Sequence, residues 1–184
     1  MPAPKREFLL QTAEAIFSKE GFKGVSVDRV LADAGVAKMT LYKGFKSKNA
    51  LICETLRRRG DRLAAHLETF IVRAGPRAED QILSCFDGMQ DWSRRPDFNG
   101  CYFVSALTEY SASQNEIGEI ARQYKMRFLD RLYSLCLPLD LAQPESVPKS
   151  LFMLIEGATV THMSLGDKES YARAKAIAAQ LLTQ

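Results

Sequence analysis

The chain has 184 residues, 46% of them hydrophobic and 26% charged, with a formal net charge of +3. This length and composition predict one or two globular domains with a sizeable core, which excludes a fibrous or wholly disordered protein. No apolar run reaches the ~20 residues that span a bilayer, and the N-terminus is charged from Lys5 onward, so a cytoplasmic location is expected.

The first third of the chain predicts four helices. Leu9, Ala13 and Phe17 share one face of a helix that runs from about residue 5 to 20 and ends at Gly21. Ser26 is a good N-cap for the second helix, because its hydroxyl can accept a hydrogen bond from the first helical turn. The third helix is predicted over about residues 37–44, and the fourth runs from Ser47 to about Phe70, before Gly75-Pro76.

The remaining chain continues the helical pattern. A capping-box pattern begins at Ser113 and predicts the start of the seventh helix. The helices predicted after the fourth cover about residues 77–93, 101–110, 113–132, 148–165 and 168–182. No segment alternates like a strand, so the predicted fold class is all-α, with about nine helices.

The segment from Ser26 to Leu51 predicts a helix-turn-helix, with two short amphipathic helices separated by the triplet Ala34-Gly35-Val36. A small residue followed by a glycine allows the tight turn that this motif needs, and the second helix of such a motif enters the DNA major groove. Lysine and threonine can contact bases or phosphates, a methionine can touch a thymine methyl group, and helix starts can bind phosphate. The candidate DNA-binding residues are Ser26, Ala37, Lys38, Met39, Thr40, Tyr42, Lys43 and Lys48.

The distribution of charge agrees with a DNA-binding N-terminus. Residues 1–60 contain twelve Lys/Arg and six Asp/Glu, a net charge of +6, whereas residues 61–184 have a net charge of −3. A basic domain joined to a mildly acidic one is typical of a phosphate-binding module with a neutral partner domain. The alternative is a three-helix domain whose lysines only face solvent.

The run from Leu9 to Ile52 resembles the N-terminal domain of TetR-type transcriptional regulators. The matching features, in chain order, are Ala13 and Phe17, Glu20-Gly21-Phe22, Ala34-Gly35-Val36, Thr40-Leu41-Tyr42, Phe45, and Ser47-Lys48 through Leu51. This resemblance implies that Lys38 to Lys43 belong to the recognition helix and that Lys48 contacts phosphate. Two positions depart from the family pattern: Leu31 stands where alanine is usual, and Gly44 where a larger residue, often histidine, is usual.

The resemblance also implies two domains and a homodimer. The expected division is a DNA-binding domain over residues 1–47, with its motif at about 27–46, and a helical effector-binding and dimerisation domain over residues 48–184. The fourth helix would connect the two domains. A regulator of this kind is expected to repress transcription from a palindromic operator, although activation stays open. The last two helices are expected to pair with a second copy through Leu151, Ile155, Ala158, Ile177 and Leu181; otherwise they complete the core of a single chain.

Aromatic side chains, with several methionines, are concentrated between the predicted DNA-binding domain and the last two helices. Such residues usually form the core, but the resemblance implies a cavity for a small, largely apolar effector. Glu109 and His162 are candidate polar anchors in that cavity. The full candidate set is Phe86, Met89, Trp92, Cys101, Tyr102, Phe103, Glu109, Tyr110 and His162.

The sequence predicts neither a metal site nor a catalytic site, and no cofactor is expected. The four cysteines form no Cys-x-x-Cys pair and there are only two histidines, so buried thiols are expected, with Cys101 the candidate if one senses redox state. No Ser-His-Asp grouping or glycine-rich phosphate loop is visible. The chain is therefore expected not to be an enzyme, and the main alternative is a helical ligand-binding or partner-binding protein that does not recognise an operator.

Overall fold

A computed structural model describes residues 3–110 and 115–183, with only the backbone of residues 3 and 4. All the secondary structure in these two stretches is helical, which confirms the predicted all-α fold. The nine helices are α1 (Ala3–Glu20), α2 (Val27–Asp33), α3 (Lys38–Gly44), α4 (Lys48–Arg73), α5 (Ala78–Ser93), α6 (Tyr102–Tyr110), α7 (Glu116–Cys136), α8 (Val147–Leu165) and α9 (Ser170–Leu181).

Most helix boundaries lie within two or three residues of the prediction. The reason is that the serines predicted as N-caps accept hydrogen bonds from the first backbone N–H groups of their helices. The Ser26 hydroxyl accepts a hydrogen bond from the Arg29 amide at 3.1 Å. At the start of α4, the Ser47 hydroxyl accepts one from the Ala50 amide, also at 3.1 Å. The predicted cap Ser113 lies outside the described residues; α7 is capped by Asn115, whose side-chain oxygen accepts a hydrogen bond from the Gly118 amide.

The chain divides into two compact units, and α4 and α7 each contribute residues to both. The N-terminal unit contains Met1–Asp61 and Tyr102–Tyr124, and the C-terminal unit contains Arg62–Cys101 and Lys125–Gln184. The N-terminal unit thus extends beyond the predicted boundary at residue 47, because α6 and the first part of α7 pack with the helix-turn-helix segment. The functional boundary at residue 47 stays a prediction.

The core of the N-terminal unit is apolar with one buried ion pair. Its most buried large side chains are Leu9, Leu10, Phe17, Phe22, Leu41, Leu51, Ile52, Leu56 and Phe103. Arg59 donates to the Glu14 carboxylate at 3.0 Å, with both side chains almost fully buried. The Tyr102 and Thr55 hydroxyls are hydrogen-bonded at 2.9 Å. These polar contacts satisfy groups that would otherwise be costly to bury, and they fix α1, α4 and α6 against one another.

In the C-terminal unit, α5 packs against α8 and α9, and α8 packs against α9. Buried side chains between these helices include Ile82, Cys85, Phe86, Leu151, Ile155, Tyr171, Ala174 and Ala178. The Tyr171 hydroxyl donates to Thr159 at 2.9 Å, and Lys175 pairs with Asp87 at 2.6 Å. In the described parts of both units, no helix is long and apolar enough to cross a membrane.

Candidate nucleic-acid interface

The turn between α2 and α3 has the geometry that the sequence predicted. Gly35 has φ = +60°, a left-handed conformation in which other residues are strained. Its amide donates to the Ala32 carbonyl at 3.1 Å, and the Val36 amide donates to the Leu31 carbonyl at 3.0 Å. A Cβ atom on Gly35 would meet no atom within 4 Å. The backbone angle, and not a lack of space, therefore requires glycine here.

The third helix presents opposite faces to the core and to solvent. Leu41 is fully buried, and the following Phe45 is 5% exposed. On the other face, Met39 is 70% exposed and Tyr42 50% exposed. Ala37, Lys38 and Lys43 are also exposed, and Thr40 is half-buried. The predicted recognition residues therefore lie together on the outer side of α3, except that Thr40 is partly covered.

The two departures from the family pattern leave this arrangement intact. Leu31 is 5% exposed on the inner face of α2, so the larger side chain is accommodated in the core. Gly44 is the last residue of α3, and the next amide, that of Phe45, still donates to the Leu41 carbonyl at 2.6 Å. The recognition helix therefore closes normally despite the glycine.

Lys38 has an acidic neighbour, Asp28, on the preceding helix. Its ammonium lies 3.1 Å from the Asp28 carboxylate at the start of α2, and both side chains are exposed. The hydrogen bond and the charge of Asp28 raise the pKa of Lys38. An exposed pair of this kind is weak in water, so the ammonium can exchange Asp28 for a DNA phosphate. Asp28 is also placed to repel DNA wherever Lys38 does not shield it.

Lys48 begins α4 and is held by the loop that follows α1. Its ammonium donates to the Lys23 carbonyl at 3.3 Å. Partial burial lowers the pKa of Lys48, while the Glu109 carboxylate acts in the opposite direction. One of the three ammonium N–H donors is used in this contact, which leaves two for a phosphate oxygen.

The predicted effector residues are divided between the two units. In the N-terminal unit, Tyr102 and Phe103 are buried, and Phe103 stacks on Tyr124 with ring centroids 3.7 Å apart. Tyr110 is half-buried at the end of α6. The Glu109 carboxylate accepts hydrogen bonds from the Phe22 amide at 2.9 Å and the Lys23 amide at 2.6 Å. A ligand at Glu109 would have to compete with these two backbone donors.

In the C-terminal unit, Phe86, Met89 and Trp92 are buried, whereas Cys101 and His162 are half-buried. His162 makes an edge-on contact with Phe98, with centroids 5.8 Å apart, and its Nδ1 lies 3.1 Å from the Asp167 carbonyl. Both contacts of His162 are made with groups of its own chain, so its ring is packed within the C-terminal unit.

A buried charged group next to Cys101 was not predicted. The Lys125 ammonium donates to the Glu156 carboxylate at 2.7 Å and to the Cys101 sulfur at 3.2 Å. Burial disfavours the charged form of Lys125, but Cys101 and Glu156 outweigh it and raise the lysine pKa. The helical period of α7 and α8 gave no sign of this pair, because the two residues lie 31 positions apart on different helices.

The other three cysteines behave as structural thiols. Burial raises the pKa to about 11 for Cys53, to about 12 for Cys85 and to about 11 for Cys136. None of the four is in a disulfide, as the sequence predicted. Within residues 3–110 and 115–183, the acidic, histidine and cysteine side chains form no group that could hold a metal ion.

Part of the predicted dimer interface on α8 and α9 is buried within the single chain. Leu151 and Ile155 are 0% exposed, so these two side chains pack inside the chain's own core, whereas Ala158 is 4% exposed and lines a groove on the surface. Ile177 is 48% exposed and Leu181 is half-buried. The apolar residues that α8 leaves exposed lie two to five residues from the predicted ones and include Met153, Val160 and Met163.

A groove of about 530 Å³ runs between these exposed faces. Its lining residues are Ser150, Met153, Leu154, Gly157, Ala158, Thr161, Ser170, Arg173, Ala174, Ile177 and Leu181. Small residues form much of its lining, so another helix could approach α8 and α9 closely. Leu151 and Ile155 were predicted at the interface because a periodic apolar stripe does not distinguish the face of α8 toward α5 from the face toward solvent.

Comparison with known proteins identifies the helix-turn-helix. The family described as bacterial regulatory proteins, tetR family, matches residues 9–55. A TetR-family transcriptional regulator from Streptomyces coelicolor superposes with a TM-score of 0.89 at 26% identity, covering 98% of this chain and 96% of that one. Residues 9–55 carry the TetR-family helix-turn-helix. The resemblance predicted from the sequence is thereby confirmed.

Two curated relatives of this chain are transcriptional regulators. The HTH-type transcriptional regulator YjdC of Escherichia coli K12 is 21% identical over 153 residues, 83% of this chain and 80% of the relative. The HTH-type transcriptional repressor KstR2 of Mycolicibacterium smegmatis is 39% identical over 56 residues, 30% of this chain and 27% of the relative. The chain is therefore a DNA-binding transcriptional regulator and, as predicted, not an enzyme.

Proposed function

We propose that this regulator is a cytoplasmic repressor that binds a palindromic operator as a homodimer and is released by a small, largely apolar effector. The observation that supports this most directly is the exposed outer face of α3, which follows a tight turn at Gly35 and presents Lys38, Met39 and Lys43. The repressor role, as opposed to activation, is supported by the relative KstR2, which is described as an HTH-type transcriptional repressor.

The side chains on this face divide by chemistry into two groups. Ala37, Met39, Thr40 and Lys43 are proposed to reach base edges in the major groove, since these side chains offer methyl groups, a hydroxyl and an ammonium. Lys38, Tyr42 and Lys48 are proposed to hold phosphates, and the capped helix start at Ser26 adds backbone N–H donors. The first group would determine sequence preference and the second would determine register and affinity.

Two such faces are needed for specific binding, because one short helix reads only a few base pairs. We propose that the second face comes from a second copy of this chain, paired through the groove between α8 and α9. Met153 and Ile177 line it and leave large apolar area exposed, and a two-fold interface makes such a patch self-complementary. The two DNA-binding domains, or heads, of such a dimer would fit half-sites one helical turn apart if they were held about 34–36 Å apart.

The effector is proposed to bind in the body of the protein, at the predicted aromatic residues of the C-terminal unit, Phe86 and Trp92. It would shift the dimer toward a shape in which the two heads no longer fit the operator, and it can do so only through different affinities for the two shapes. Trp92 is the single tryptophan of the chain and is buried, so its fluorescence reports on this region. We expect an effector to change Trp92 emission and lower operator affinity together. A compound that occupies the body and changes the emission without affecting the operator complex would not be the effector.

Replacing Lys48 by alanine tests the proposed phosphate contact. We expect weaker binding to all DNA sequences and a decrease of about one in the slope of log affinity against log salt, because one counterion fewer is released. Lys19→Ala is the matched control, since Lys19 is an exposed lysine on α1 that has no proposed DNA contact. Mobility shifts on specific and unrelated fragments at several salt concentrations give both values. An unchanged salt slope in Lys48→Ala would exclude the contact.

A further inference from the structure

Glu109 of α6 holds the loop that joins α1 to α2. One carboxylate oxygen lies 2.9 Å from the Phe22 amide, and the other accepts from the Phe22 amide at 3.1 Å and from the Lys23 amide at 2.6 Å. Two consecutive backbone N–H groups thus converge on one anion, which is a strong, charge-assisted arrangement. The sequence separation of 86 to 87 residues shows that α6 is anchored directly to the DNA-binding segment.

The loop is shaped to receive this carboxylate. Gly21 has φ = +81°, which ends α1 and turns the next two amides away from the helix axis. A Cβ atom on Gly21 would lie 3.0 Å from a Glu109 oxygen, so only glycine permits the approach without displacement. Phe22 is fully buried and its ring lies 4.8 Å from that of Tyr102, which anchors the same loop on the apolar side.

The loop in turn positions Lys48. The amide of Lys23 is held by Glu109, and the carbonyl of the same residue accepts the hydrogen bond from the Lys48 ammonium at 3.3 Å. The Lys23 side chain lies over the Tyr110 ring, 5.3 Å from its centroid, which adds a further contact between the loop and α6. A continuous series of polar contacts therefore runs from α6 to the first residue of α4.

We propose that Glu109 is a positioning residue for DNA binding: it fixes the Phe22–Lys23 backbone and, through the Lys23 carbonyl, presents the Lys48 ammonium to a DNA phosphate. This rests on the proposed function, in which Lys48 contacts phosphate. It gives Glu109 a role different from the effector anchor that the sequence suggested. It also makes an acidic residue favourable for binding to a polyanion, which is the opposite of its direct electrostatic effect.

Positioning by Glu109 and the direct effect of its charge change DNA affinity in opposite directions, and this difference provides the test. If Glu109 acted only through its charge, Glu109→Gln would strengthen DNA binding and Glu109→Asp would leave it unchanged. Positioning predicts that both variants bind DNA more weakly, by about tenfold for Glu109→Asp, because aspartate keeps the charge but is too short to reach both amides. Glutamine keeps one acceptor oxygen and should lose less than alanine. Glu119→Gln removes an exposed charge from α7 of the same unit and is the control for charge alone.

A double-mutant cycle asks whether Glu109 acts through Lys48. We expect Glu109→Asp to cost about tenfold in the intact chain and to cost little in a Lys48→Ala background, because the positioned group is then absent. Equal losses in the two backgrounds would show a general structural effect and overturn the proposal. Unfolding midpoints of all variants, measured in parallel, show that the comparison is made between folded proteins.

Amide hydrogen exchange at Phe22 and Lys23 provides a readout that does not depend on DNA. Both amides should exchange faster in Glu109→Asp than in the unchanged chain. Unchanged exchange would overturn the positioning contact itself. Faster exchange with unchanged DNA affinity would overturn its role in binding. If the unchanged protein binds no DNA fragment at all, the proposed function fails, and the role of Glu109 in DNA binding fails with it.

Discussion

Replacing Gly35 by valine is expected to abolish operator binding while leaving the fold and the dimer intact. Valine at φ = +60° costs about 1–3 kcal/mol in backbone strain, and the turn can relieve this only by moving α3 relative to α2. Such a shift moves the exposed face of α3 out of register with the DNA major groove, and it does so in both subunits. The expected loss is about ten- to a hundredfold for each head. Gel filtration and mobility shift measure the two properties separately.

Gly75→Val is the matched control for this variant. Gly75 also has a left-handed φ, of +88°, and a Cβ atom there would likewise meet no atom within 4 Å. The backbone strain is therefore similar, but Gly75 follows the end of α4 in the C-terminal unit. We expect this variant to lose some stability and to keep its operator affinity. Equal affinity of Gly35→Val and the unchanged protein would mean that the turn does not position a DNA-binding helix.

Gly157→Arg is expected to convert the dimer into a folded monomer. Gly157 lines the groove between α8 and α9, and a Cβ atom at this position meets nothing within 4 Å in the single chain. An arginine is also a better helix former than glycine, so the monomer should not be destabilised. In a dimer, the long charged side chain would occupy the space of the partner helix. Loss of the second head should lower operator affinity by about a hundredfold or more.

Ala172→Arg is the control for the added charge, because it introduces the same side chain on α9 outside the groove. Ala172 is exposed on α9 but does not line the groove. Sedimentation should show a dimer for this variant and a monomer for Gly157→Arg. If Gly157→Arg remains dimeric and binds the operator normally, the two copies do not pair through the groove.

The helix-turn-helix was the most predictable part of the molecule, because local rules determine it. Ser26 and Ser47 cap helices in the structure as their position before an apolar periodic segment implied, and Gly35 takes the left-handed conformation that the turn requires. Burial of Leu41 beside the exposed Met39 follows from the helical period alone. Such features involve residues only a few positions apart.

Contacts between distant segments could not be predicted in this way. Glu109 resembles any acidic residue near the end of a short helix, yet it binds amides 86 and 87 positions earlier in the chain. Lys125 and Glu156 likewise pair across 31 positions in a buried environment. Leu151 and Ile155 were placed on the wrong side of α8, because α8 is apolar on the side facing α5 and also on the side facing the groove. A single sequence gives the period of a helix but not the neighbour of each face.

Selection of DNA from a random pool by the unchanged protein, followed by footprinting of the selected site, tests the central claim most directly. If α3 enters the major groove twice in each symmetric dimer, the selected sequences should contain an inverted repeat. The two half-sites should be about one helical turn or a multiple of it apart and be protected on one side of the duplex. Gly35→Val should select no such repeat. Recovery of DNA without a common sequence, or of a single unrepeated half-site, would contradict paired reading of an operator by α3.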